Sequence, residues 1–141
     1  MESLFRVRYT YFDHQGDVGI VGYGSTPASA LVSAAEAMFA LISDLAQVRP
    51  IQMIHVSFDE PDLELTLLVW LNRLFAESHA ERLAFGQFSL EQTGSRWEGS
   101  AAGEPWRPDL ERGVEVKGAT LTMLSVRPVG DQWEARCVVD V

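Results

Sequence analysis

The 141-residue chain carries twenty acidic and eleven basic side chains, a formal net charge of −9, with 47% hydrophobic and 22% charged residues. That profile belongs to a soluble globular domain with a sizeable core and excludes disordered and fibrous classes. It also argues against direct nucleic-acid binding, which draws most of its affinity from basic patches neutralising phosphates. In the N-terminal third only Arg6 and Arg8 form a close basic pair.

The opening stretch MESLFRVRYT has no apolar core of the kind a signal peptide needs, and no apolar run approaches the length of a bilayer span. Cys137 is the single cysteine, so an intramolecular disulfide is ruled out and a cytoplasmic setting is expected. Residues 4–11 alternate well enough for a first strand, and a second apolar strand is predicted from Val18 to Tyr23. Thr26 is a natural N-cap and Pro27 a natural first helical residue. Behind them Leu31, Ala34, Ala35, Met38, Leu41 and Ile42 recur at helical spacing, which predicts a helix ending near Ser43.

Residues 51–58 alternate as a strand. A second helix is predicted to start at Glu60-Pro61, with Asp59, Glu60, Asp62 and Glu64 clustered around a first turn whose dipole favours negative charge. Its buried stripe is Leu63, Leu67, Trp70, Leu71 and Leu74. Four late strands are expected at 83–91, 95–103, 114–126 and 132–140. The fold class that follows is α+β, a compact two-layer sandwich of about six mostly antiparallel strands and two main helices, one domain over 1–141. In the last strand Trp133, Ala135, Cys137 and Val139 share one face, and Glu134, Arg136, Val138 and Asp140 share the other.

The polar stretch Phe12-Asp13-His14-Gln15-Gly16-Asp17 has two chemical readings. Asp13 and Asp17 could supply oxygen to a hard cation such as Mg²⁺ or Ca²⁺. Asp and Gly are equally at home in an ordinary turn, and local sequence alone favours that plainer reading. The spacing does not match an EF-hand, and two carboxylates fall short of a calcium shell, so further oxygens would have to come from elsewhere; Asp140 and Val141 are the best candidates by chemistry. His14 could be a ligand or an acid–base group, though a lone loop histidine more often only hydrogen-bonds its neighbours. His55 and His79 have no metal-ligand spacing to another histidine, and Cys137 reads as a small core hydrophobe. GxSxG, Walker A, HExxH and CxxC motifs are all absent. Gly103-Glu104 reads as a turn, and Lys117-Gly118-Ala119-Thr120 as a strand with a bulge at Gly118.

Taken together, FDHQGDVGI, Ala34-Ala35-Glu36-Ala37-Met38-Phe39, Leu68-Val69-Trp70-Leu71-Asn72, Gly103-Glu104, Val116-Lys117-Gly118-Ala119-Thr120 and the terminal Val138-Val139-Asp140-Val141 resemble the archease family, in order and across nearly the whole chain. The resemblance implies a non-catalytic activator of the RtcB-type RNA ligase of tRNA splicing and RNA repair. Such an activator promotes guanylylation of the ligase and its repeated turnover. It further implies a compact α+β sandwich and a divalent-cation site (Ca²⁺ or Mg²⁺) formed by Asp17, Asp140 and Val141, with Asp13 and His14 as possible accessories. With that resemblance the metal reading of Asp17 overtakes the turn reading. An acidic protein that docks on a basic RNA-binding enzyme need not touch RNA itself. Two positions depart from the family pattern: Leu110 stands where a histidine is common, and Leu121-Thr122 where an aromatic residue and a histidine are common. The alternatives from other classes are a small metal-dependent phosphate-processing enzyme and a chaperone-like binding module.

Overall fold

The computed structural model describes residues 7–141. The first strand, β1 (Tyr9–His14), overlaps the predicted 4–11 segment at residues 9–11 and runs on to His14; Val7 and Arg8 precede it, and residues 4–6 lie outside the described residues. It forms a hairpin with β2 (Asp17–Gly24), in which His14 faces Asp17 across a two-residue turn. Gln15 and Gly16 both take positive φ, 48° and 89°, the conformation that lets such a turn follow the twist of its strands. The stretch that the sequence suggests is a loop therefore ends early, and Asp17 is already the first residue of a strand.

Helix α1 (Pro27–Ile42) begins where Thr26 and Pro27 predict, with a reciprocal capping box between Thr26 and Ser29. It lies close against β2 because Gly22 has no side chain: a Cβ there would collide with the backbone of Ala30 and Ala34. After a short 3₁₀ turn at Leu45–Gln47 come β3 (Gln52–Asp59), α2 (Leu63–Glu81), β4 (Leu83–Thr93) and β5 (Arg96–Pro105). Helix α2 starts later than Glu60-Pro61 because Asp62 is its cap, the carboxylate accepting from the backbone N–H of Leu65 at 2.9 Å. The chain closes with β6 (Gly118–Ala119), β7 (Ser125–Val129) and β8 (Gln132–Asp140).

The fold class is α+β, with eight strands among the described residues rather than six, arranged in two sheets whose strand pairs are all antiparallel. One sheet runs β1-β2-β8-β6 with β7 also paired to β8, and the other runs β3-β5-β4. Helix α1 packs on β2 and β8 of the first sheet and on β4 of the second, so it couples the two. Trp70 of α2 is fully buried and donates its indole N–H to the carbonyl of Leu31 at 3.0 Å, which ties the helices together. Around it Ile20, Met38, Phe39, Leu74, Phe85 and Val139 form one continuous core.

Three sequence expectations need correction. Residues 114–126 are not one strand. Gly113 and Val114 donate their N–H groups to the last carbonyls of α1, at Ile42 and Leu41. Residues 120–124 then arch away, because in the β8 register only Cys137 and Val138 lie between the partners of Ala119 and Ser125. On β8, Asp140 is exposed and Ala135, Cys137 and Val139 are buried as expected, but Glu134 and Val138 on the opposite face are buried too. Glu134 is held there by Arg136 at 2.7 Å and Arg127 at 3.8 Å. Gly103-Glu104 is not a turn but part of β5.

Glu104 is 2% exposed. Its carboxylate accepts from Arg107 Nε at 2.9 Å and from the backbone N–H of Arg49 at 2.7 Å, with the Arg49 guanidinium at 3.4 Å. Arg107 first, and then the Arg49 N–H, hold this carboxyl below its ordinary value of 4.5. A folded-state value below the unfolded one gives stability that is fully present above the unfolded value and is lost as pH falls through the folded one. Glu104→Gln is thus expected to lower the urea midpoint at pH 7, with a gap to wild type that narrows as the pH is taken below 4.5. Denaturation followed by circular dichroism at several pH values measures this, and a gap independent of pH would show that the carboxylate charge is not responsible.

Candidate functional site

Two strands from opposite ends of the sequence meet at the candidate site. The β2–β8 register pairs Val18 with Val139, and its next step sets Asp17 opposite Asp140. Beyond the last pair, the N–H of Val141 donates to Oδ1 of Asp17 at 3.1 Å. The β1–β2 register adds His14 opposite Asp17 and puts Asp13 opposite Val18. Residues directly opposite in an antiparallel pair share a sheet face, and successive residues alternate. His14, Asp17 and Asp140 therefore fall on one face, and Asp13 falls on the other. Of the residues singled out from the sequence, the structure brings Asp17, Asp140, Val141 and His14 to one end of the sheet and turns Asp13 away.

Asp140 is exposed and Asp17 partly so, which leaves both carboxylates open to solvent. Like charges directly opposite on neighbouring strands repel, and a cation between them would relieve that repulsion. The Val141 bond occupies one acceptor position of Asp17 and leaves the rest of that carboxylate free. Among the described residues no three His, Cys, Asp or Glu side chains converge as a ready-made metal shell. A main-chain oxygen of Val141 would add a third protein ligand, and the set of Asp17, Asp140 and Val141 is then all oxygen and incomplete, which fits a hard cation that keeps water or partner ligands.

The strand end is braced from behind. The carbonyl of Asp140 accepts from the N–H of Lys117 at 2.8 Å, and Gly118 pairs with Asp140. Thr120 donates both its N–H and its hydroxyl to the carbonyl of Val138. Holding β6 in turn is Asn72 of α2, to which the sequence reading gave no role of its own. Its amide NH₂ donates to the carbonyl of Ala119 at 3.2 Å, and its Oδ1 accepts from the N–H of Ala119 at 3.0 Å. The side chain thus completes a two-residue strand much as another strand would. The available signal was an amide in the apolar helix run Leu67–Leu74, where a polar group needs a partner.

The remaining candidates have other roles. Cys137 is buried, and desolvation pushes its thiol up to about 12, so it is no nucleophile at neutral pH. Leu110 packs with Val48, Ala84 and Trp106 in a small second cluster. Thr122 is exposed and gives its carbonyl to the N–H of Val138, while Leu121 beside it is 66% exposed. His79 is exposed in the last turn of α2, with Nδ1 3.1 Å from the carbonyl of Phe75, and His55 sits exposed on β3. No helix is long and apolar enough to cross a membrane among the described residues.

Comparison with known proteins places these features in a family context. The model of the archease protein family matches residues 9–141. The archease of Methanosarcina acetivorans is 30% identical over 95% of this chain and 96% of its own length. That of Sulfurisphaera tokodaii is 31% identical over 95% and 99%. The solution structure of protein 1598 of Methanobacterium thermoautotrophicum superimposes with a TM-score of 0.83 at 26% identity, covering 95% of this chain and 99% of that one. The crystal structure of an archease from Thermotoga maritima shares the fold, with a TM-score of 0.63 at 14% identity.

Replacing Asn72 by Ala removes both bonds to Ala119 and is expected to destabilise the protein by about 1–2 kcal/mol. The amides of Lys117 and Ala119 should then exchange with solvent faster than those of the β2–β8 ladder. Hydrogen exchange read by NMR tests this, and uniform acceleration across the sheet would mean that Asn72 supports the whole fold and not the strand end in particular.

Proposed function

The chain belongs to the archease protein family, and from that premise we propose that it is a non-catalytic, metal-binding activator of an RtcB-type RNA ligase. In this reading it works in the cytoplasm, promotes guanylylation of the ligase and allows its multiple turnover in tRNA splicing and RNA repair. The observation that carries the reading is the contact of the Asp17 carboxylate with the backbone of Val141, which joins the hairpin carboxylate to the end of the strand bearing Asp140. Asp17, Asp140 and an oxygen of Val141 would hold one Ca²⁺ or Mg²⁺. Bound there, the ion would supply a positive centre for oxygens of the partner or of a nucleotide.

This chain's own part is to present that site on a rigid strand end and to dock. The acidic surface, with a net charge of −9, complements a basic RNA-binding enzyme and repels free RNA. A non-catalytic role fits the burial of Cys137, whose thiol is pushed up to about 12. His14 faces Asp17 across the hairpin and would serve as an accessory, orienting a ligand water or a partner group. Leu110 is committed to packing, and Leu121 and Thr122 offer an exposed, partly apolar loop beside the Asp140 end.

Mixed with its cognate ligase, GTP and a divalent ion, the wild-type protein is expected to accelerate formation of the guanylylated ligase. Alone it should join no RNA and hydrolyse no nucleotide. Asp140→Ala should lose the stimulation and keep its thermal midpoint, since this exposed side chain contributes nothing to the core. Incorporation of radiolabelled guanylate into the ligase measures the effect. Full stimulation by Asp140→Ala, or no stimulation by wild type, would contradict the proposal.

A further inference from the structure

A cavity of about 650 Å³ opens where the C-terminal ends of α1 and α2 meet the start of β4, Trp106 and the segment 112–116. That volume is typical of small-molecule sites, which run from roughly 300 to 1,000 Å³. Its apolar walls include Phe39, Phe85 and Val116, all buried. It shares no lining residue with Asp17, Asp140 and Val141, so it is separate from the strand-end site.

Arg8, Arg49, Arg96, Arg107, Arg127 and Arg136 are all engaged by carboxylates. Of the four other basic side chains among the described residues, Arg73, Arg82, Arg112 and Lys117, two line the cavity, Arg82 and Arg112, together with His79. The guanidinium of Arg112 lies over the Trp106 ring, 3.9 Å from its centroid, which fixes its plane and leaves its edge donors available. Arg82 closes α2 in a left-handed conformation, φ 55°, and its N–H caps the carbonyls of Ser78 and His79. Gly113 and Val114 cap those of α1 in the same way, so the negative ends of both helices are largely engaged by backbone donors. Glu115 is the one carboxylate in the lining, and it stands against two guanidinium groups.

We propose that this cavity binds a small organic anion, a carboxylate or phosphate ester with an apolar or aromatic body. The anionic head would be held by Arg82 and Arg112 through charge-assisted hydrogen bonds, and the body would lie against Phe39, Phe85 and Trp106. Neither the head alone nor the body alone uses the whole lining.

The test is an NMR titration of the full chain with phenyl phosphate, benzoate, benzyl alcohol and inorganic phosphate, following the Trp106 indole and the His79 ring. Both aromatic anions are expected to shift these signals saturably, and benzyl alcohol and inorganic phosphate to bind about tenfold more weakly or worse. Tighter binding of phenyl phosphate than of benzoate assigns the phosphate-ester class, and the reverse order assigns the carboxylate class. Arg112→Gln keeps a planar group over Trp106 without the charge, and Arg82→Gly keeps the left-handed helix end that glycine favours. Each should weaken the aromatic anions by about tenfold without changing the thermal midpoint by more than a few degrees. The proposal is overturned by benzyl alcohol binding as tightly as the anions, by anion binding indifferent to both substitutions, or by the absence of saturable shifts at Trp106 and His79.

Discussion

Everything placed at the candidate site depends on the antiparallel pairing of β2 with β8. From Val18 against Val139 to Gly24 against Trp133, this ladder joins the first hairpin to the last strand of the chain. Without it Asp17 and Val141, 124 positions apart, have no reason to meet. The ladder is held from one face by α1, which comes close only because Gly22 offers no side chain in its path, and Ile20, Cys137 and Val139 fill the space between. A slip of one residue in this register would send Asp17 and Asp140 to the core face, so burial of that face fixes the position of the carboxylates as surely as it fixes the core.

Rigidity at the strand end comes from polar groups more than from packing. β6 is too short to stand alone, and it is held between the Asn72 amide on one side and the Asp140 end of β8 on the other. The same economy appears at Glu104, where one buried carboxylate gathers Arg49 and Arg107 and thereby pins the 3₁₀ turn region to the end of β5. The β2–β8 end is different in kind. There Asp17 and Asp140 take facing register positions, and neither forms an ion pair among the described residues, an arrangement that suits an ion with open coordination positions.

Much of the scaffold was legible because local chemistry and tertiary structure agree. Thr26-Pro27 opens α1, and the stripe from Leu67 to Leu74 is buried as its period requires. The expected divergence comes where a segment answers to distant partners. Gly113 and Val114 serve the end of α1, and residues 120–124 arch over β8, so the alternation read across 114–126 describes two short pairings and a loop. The strand pattern places Glu134 on the face opposite Cys137, and only the structure shows it buried there beside Arg127 and Arg136. At the candidate site, Asp17 and the strand end were legible as chemistry, but their meeting is a register effect. Asp13 reads like Asp17 in the sequence, and alternation of the strand alone sends it to the opposite face.

The central claim is that Asp17 and Asp140 share one divalent ion with Val141. Isothermal titration of the isolated protein with Ca²⁺ and with Mg²⁺, repeated on Asp17→Ala, tests it most directly. A saturable one-to-one isotherm for wild type and a flat trace for the folded Asp17→Ala protein is the expected result. Equal binding by both proteins would contradict an ion held at Asp17, and the absence of binding by wild type would remove the metal from the isolated protein altogether.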